Sequence, residues 1–225
     1  MQADLNSRVA LYSLIIANLI PLVGVLWWQW DAGFLLLMYW AENLVVGFYN
    51  ILRMLCTAIE DPIRLLGILF TVGFFLIHYG AFVGLHGVFL IEFLDFGDGS
   101  LKAMELKNWP GPLVFVGILF NVVKYVYSFM TTEMFFALLA LLFSHGVSFI
   151  MNFVLPGEYK NTTAKKLMGR PYARILIMHF VVIIGGILIA ETGSTTPMLL
   201  LLVVIKIIVD VVLHLRSYRK RQQST

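Results

Sequence analysis

The stretch LLGILFTVGFFLIHYGAFVGLHGVFLIEF, residues 65–93, runs for 29 residues with one carboxylate, Glu92, next to its end. A helix rises about 1.5 Å per residue, so this stretch is long enough to cross the ~30 Å hydrocarbon layer of a bilayer. It has no polar stripe of the kind a surface helix of a soluble domain turns to water. The stretch therefore reads as a membrane-spanning helix whose backbone groups are satisfied internally and whose side chains meet lipid or other helices.

The pattern repeats along the whole chain. Of its 225 residues 60% are hydrophobic and only 13% are charged, where a soluble domain carries about 25%. The mean hydropathy is +0.88. Spans are expected at Val9–Trp30, Gly33–Cys56, Leu65–Phe93, Pro112–Met130, Phe135–Leu155, Tyr172–Ala190 and Pro197–Leu215. The first is too long for the ~7–15-residue apolar core of a signal peptide and ends in Trp27, Trp28 and Trp30, an interfacial aromatic belt. Asp31, Glu60-Asp61-Pro62, the polar stretch from Asp95 to Gly111, Thr131-Thr132-Glu133 and Thr192 to Thr196 separate the spans. Thr131 or Thr132 suits a helix N-cap, and Pro197 suits the first turn of a helix. The expected fold is all-α: an integral membrane helical bundle of about seven transmembrane helices, forming a single transmembrane domain over residues 1–225. A basic loop, 156–171, and a short basic C-terminal tail, 216–225, are its main polar parts. With Cys56 as the lone cysteine, no intramolecular disulfide and no cysteine-based metal site is possible.

The net charge of +3 is concentrated between spans, which fits membrane topology rather than nucleic-acid binding. If all seven segments cross, one face receives Lys102, Lys107, Lys160, Lys165, Lys166, Arg170, Arg174, Arg216, Arg219, Lys220 and Arg221. The other receives Arg8, Arg53 and Arg64. Basic residues favour the cytoplasm, so the expected location is the inner (plasma) membrane, multi-pass, with the C-terminus cytoplasmic and the N-terminus outside. The basic loop and tail are expected to touch anionic lipid. The short turn at Thr131 leaves a second possibility, that the fourth and fifth spans form one re-entrant element and reduce the count.

All five histidines lie inside expected spans: His78, His86, His145, His179 and His214. Glu42, Asn43, Asn50, Arg53, Lys124, Asn152, Lys206 and Asp210 join them. Titratable groups in lipid are costly, so they face a bundle interior where partners satisfy them. Counted from the cytoplasmic span ends, Glu42, His86, His145, His179, Lys206 and Asp210 fall at a common depth of roughly 9–15 Å. Imidazoles and carboxylates at one depth are the ligand types of a Zn or non-haem Fe ion. The expected metal ligands are His86, His145, His179 and Asp210, with Glu42 as catalytic base or further ligand. Asn43, Asn50, Arg53, His78, Asn152 and Lys206 are supporting polar residues. The plainer readings are a neutralised Lys206–Asp210 pair, asparagines joining helices, and histidines in interhelical hydrogen bonds. Glycines follow the histidines in His78-Tyr79-Gly80, His86-Gly87 and His145-Gly146, where a small residue lets a neighbouring helix approach.

Tyr39-Trp40-Ala41-Glu42-Asn43, with Gly47 and Asn50, resembles the domain of unknown function 6498 family of uncharacterised bacterial polytopic membrane proteins. The resemblance continues through His78-Tyr79-Gly80, His86-Gly87, Ser144-His145-Gly146 with Asn152, and Pro171-Tyr172-Ala173-Arg174. It covers nearly the whole chain and implies a polytopic membrane fold without implying a reaction. The inventory Ser144, His145, His179, Asp210 and His214 is also similar to that of the intramembrane zinc hydrolases typified by alkaline ceramidases and adiponectin receptors. Their paired HxxxH on the last helix is missing here, with Asp210-xxx-His214 in its place.

Four functions compete at this level. One is a membrane-embedded metal-dependent enzyme acting on lipid or another apolar substrate, its ion lowering the pKa of bound water to about 7. A b-type haem protein would use two of His86, His145 and His179 as axial ligands. A proton-coupled transporter would relay protons through Glu42 and the histidines. A non-catalytic membrane component would use the same residues only to hold helices together. The absence of an inverted repeat weighs against common transporter folds.

Overall fold

The computed structural model describes residues 19, 21–59, 65–94 and 109–223, without the side chains at 210 and 213–223. Half of the first expected span therefore lies outside the described residues, and of it residues 19 and 21–28 are helical. Seven α-helices follow: α1 (Ala32–Cys56), α2 (Leu65–Phe93), α3 (Val114–Ser128), α4 (Thr132–Phe149), a short α5 (Ala164–Met168), α6 (Tyr172–Thr192) and α7 (Thr196–Gln223). The described residues contain no strand. With the turns that extend them, five helical stretches among the described residues are long and apolar enough to cross a membrane, and the apolar part of α7, Thr196–Val209, is shorter. The protein is an all-α, multi-pass membrane bundle.

Helix ends follow local chemistry. Asp31 opens α1 by accepting the Phe34 N–H at 2.9 Å, and Thr131 Oγ1 opens α4 by accepting Met134 N–H at 3.3 Å. At the far end of α6, Gly193 takes a left-handed φ of +65° and returns its N–H to Ile189 at 2.8 Å. Residues Ile150–Val154 continue α4 as a π turn, with Leu155 N–H reaching Ile150 O at 2.9 Å. This widened turn leaves Phe153 only 1% exposed, under the end of α1.

The basic stretch 156–171, expected as a loop, is partly folded. A 3-10 turn spans Glu158–Asn161, and Thr163 caps α5 by accepting Lys166 N–H at 3.3 Å. Ala164 and Leu167 are buried while Lys165 and Lys166 are exposed, and α5 packs on α2. One amphipathic turn thus pins the connection down.

The helices group into two compact units. One comprises Leu36–His179 and the other Met1–Leu35 with Phe180–Thr225. In the second, Trp30 donates its N–H to Gly24 at 3.1 Å and Trp27 and Trp28 are exposed, as an interfacial belt requires. Met198 at the start of α7 packs against Gly185 of α6.

In the Leu36–His179 unit, specific contacts set the helix directions. Tyr79 donates its hydroxyl to Asn43 O at 2.9 Å and the Trp40 indole donates to Val83 O at 2.8 Å, so α1 and α2 are antiparallel. His78 meets Tyr172 at 2.8 Å and His86 meets His179 at 3.2 Å, so α6 runs with α2. Glu42 meets His145 and Arg53 meets Phe153, so α4 runs with α1. Gly84 faces Leu119 and Gly87 faces Val122, so α3 also runs with α2. Consequently Arg53, at the end of α1, lies at the same end of this unit as the 156–171 stretch. The seven-crossing count had separated them, because it assumed that α3 reverses α2.

Candidate functional site

Glu42 sits on α1 midway between its ends and meets two other helices. Its Oε2 lies 2.5 Å from Arg174 Nη2 on α6, and its Oε1 lies 3.2 Å from His145 Nε2 on α4. The three side chains are 18–26% exposed, so the group is half-buried rather than sealed. Arg174 also directs Nε to Asn43 Oδ1 at 3.4 Å, and its guanidinium carbon lies 5.2 Å from the centre of the Tyr39 ring. Asn43 is held by its own helix, its amide donating to Tyr39 O at 2.9 Å. Tyr49 braces the His145 side: its hydroxyl donates to Leu142 O at 2.9 Å. A Cβ on Gly146 would lie 2.6 Å from that hydroxyl oxygen, which is why glycine follows His145.

A second pair lies on α2 and α6. His86 is 3% exposed, and its Nε2 is 3.2 Å from Nδ1 of the exposed His179. His86 Nδ1 is buried without a hydrogen-bond partner. Nearer the start of α6, Tyr172 holds the exposed His78.

The arrangement thus brings the expected residues together in pairs. His145 joins Glu42 and His86 joins His179, and among the described residues no three His, Cys, Asp or Glu side chains gather closely enough to share one ion. The side chains of Asp210 and His214 lie outside the description, and Lys206 is half-buried on α7. Asn152 is exposed on the π turn and donates to Ser148 Oγ at 3.2 Å. Asn50 is 1% exposed with neither amide atom paired.

The residues of these contacts are those of the motifs from Tyr39 to Asn43, His78 to Gly80, His86-Gly87, His145-Gly146 and Tyr172 to Arg174. The profile described as "Family of unknown function (DUF6498)" matches residues 1–225. The chain belongs to this family. No curated protein and no solved structure matches it.

In this DUF6498 protein the residue that sequence reasoning undervalued is Arg174. It was counted as a loop cation because it lies close to the basic stretch. A guanidinium three residues after Pro171, already inside an apolar helix, was the signal that it needs a buried anion. Tyr39 and Tyr172, quoted only as parts of motifs, were given no role, and the structure gives both a polar partner.

Proposed function

We propose that this protein is a proton-coupled translocator of the inner membrane, exchanging a proton at Glu42 and His145. The observation that carries this reading is a carboxylate anchored by Arg174 through one oxygen and joined to an imidazole through the other, on three separate helices. With Nε2 donating to Glu42, the neutral ring has Nδ1 as its proton acceptor. Protonation of His145 would leave an ion pair with Glu42, and Arg174 would hold the carboxylate in place meanwhile. The ladder along α6 supports the reading: Tyr172, Arg174 and His179 meet His78, Glu42 and His86 in turn. Titratable groups at successive depths are the usual equipment of an intramembrane relay. In proteoliposomes holding a pH-sensitive dye, a potassium-diffusion potential should drive proton entry. Glu42→Gln should slow this entry by roughly 100-fold. Equal entry into wild-type, Glu42→Gln and protein-free vesicles would overturn the reading.

A metal-dependent enzyme is the second reading, and the His86–His179 pair favours it; a b-type haem would need the two nitrogens on opposite faces of the ring. Their facing nitrogens, 3.2 Å apart, match two ligands at ~2.0–2.1 Å from one tetrahedral ion. Elemental analysis and the visible spectrum of the purified protein separate the two: stoichiometric Zn or Fe, or a Soret band, would move the function to His86 and His179.

We also place the C-terminal tail and the 156–171 stretch in the cytoplasm, against anionic lipid, because basic residues concentrate there. Cysteine labelling tests the shared end. In a Cys56→Ala background, Ile59→Cys and Lys160→Cys should both react from the cytoplasmic face. Reaction from opposite faces would restore the alternating seven-crossing topology. A reporter fused after Thr225 should be active only in the cytoplasm.

A further inference from the structure

Asn50 and Arg53 stand three residues apart on the last two turns of α1, on one side of the helix. Asn50 is 1% exposed, and neither its carbonyl oxygen nor its amide nitrogen has a partner. Arg53 Nε is also buried and unpaired, although its guanidinium carbon lies 5.9 Å from the centre of the Phe153 ring. Buried polar atoms are almost always satisfied, so two adjacent side chains with orphaned atoms indicate a missing partner. The charges around them indicate its sign. Arg170 and Glu158 are charged neighbours of Arg53, and Glu158 is already held by Arg170 Nη2 at 2.5 Å. Among the described residues, Arg53 and Arg170 thus share one carboxylate, which leaves a positive charge at this corner.

We propose that this corner binds the phosphate of an anionic phospholipid headgroup, with Arg53 and Arg170 contacting the phosphate oxygens and the Asn50 amide donating beside them. Guanidinium groups suit phosphate because their N–H groups lie in a fixed fork. A lipid fits better than free phosphate because Arg53 occupies the last turn of a membrane-spanning helix, at the level where headgroups begin. Ile59, six residues after Arg53, and Leu155, two after Phe153, are exposed and apolar, as contacts for acyl chains would be. The site differs from diffuse attraction to the basic stretch in depending on the buried Asn50 and the half-buried Arg53, and not on Lys165 and Lys166, which are exposed. It is independent of the proton-coupled reading.

The test is native mass spectrometry and thermal unfolding of the full-length, delipidated protein in detergent, with phosphatidylglycerol, phosphatidylcholine or inorganic phosphate added. Wild-type protein should retain one phosphatidylglycerol per chain preferentially and melt at higher temperature with it, with no such gain from phosphatidylcholine. Arg53→Gln should weaken retention by at least about fivefold, the loss of one basic contact near a lipid surface. Lys165→Gln with Lys166→Gln should leave it unchanged. Because Arg53→Gln acts inside the bundle, Arg170→Gln, at a half-exposed side chain, provides a second variant that should lose binding with an unchanged circular dichroism spectrum. If inorganic phosphate alone reproduces the thermal gain in full, the site is a free-phosphate site and the lipid assignment falls. Equal retention of the two lipids, or undiminished phosphatidylglycerol binding in both arginine variants, would overturn the proposal entirely.

Discussion

Arg174→Met should destabilise the bundle by about 2–3 kcal/mol, at or below the lower limit of the ~3–5 kcal/mol cost of removing one partner of a fully buried ion pair. The estimate is taken low because both side chains keep some exposure, 26% for Arg174 and 18% for Glu42. The cause is the carboxylate left behind. Glu42 Oε2 loses a cation at 2.5 Å, and Asn43 loses a donor at 3.4 Å. Adding Glu42→Gln to Arg174→Met should recover much of the loss, since the amide carries no charge to strand. Unfolding of the detergent-solubilised protein with denaturing surfactant measures both. Equal stability of the single and double variants would show that the pair contributes no net stabilisation and that Arg174 is held by its stacking on Tyr39 alone.

Gly87→Val should cost at least about 1–3 kcal/mol, the usual penalty for overfilling a packed core. A Cβ there would lie 2.6 Å from Val122 Cγ1 and 2.8 Å from the Trp40 ring. Neither neighbour can yield easily: Val122 is fully buried, and Trp40 is 1% exposed with its indole donating to Val83 O at 2.8 Å. The clash outweighs the ~1 kcal/mol that replacing glycine usually gains in helix propensity. Gly67 gives the contrast, because a Cβ there meets nothing within 4 Å. Gly67→Ala should therefore be neutral or slightly stabilising in the same thermal melt. A stabilising Gly87→Val would mean that α1, α2 and α3 are not packed together at this point.

Much of this was legible in the amino-acid sequence, and for stated reasons. Helix α2 ends at Phe93, where the uninterrupted apolar run ends, since a spanning helix has nowhere else to stop. The Thr131 cap and the glycines after the histidines were readable because each answers a local requirement, an orphan N–H or a close helix approach. What stayed hidden depends on relations between distant segments. No local pattern tells whether α3 runs with or against α2. Lys165 and Lys166 masked α5, whose burial rests on only Ala164 and Leu167. The π turn at Ile150–Val154 has no proline or glycine to announce it. The pairing of His145 with Glu42 and of His86 with His179 follows from which helices adjoin. The expected common depth also fails, because along α6 Glu42 is met at Arg174 and His86 five residues later at His179.

The two contacts between α2 and α6 have a mechanical consequence. His78–Tyr172 and His86–His179 lie on parallel helices, eight residues apart on one and seven on the other. A slide of either helix along its partner would break both rungs together, and the next one-turn register offers no matching pair. The Tyr172–His179 part of α6 is therefore pinned to α2 at two levels. The freedom to rearrange falls to α4, the least enclosed of the five spanning stretches, which touches Glu42 of α1 through His145. A tilt of α4 would swing that imidazole to and from Glu42 while the α2–α6 contacts stay in place.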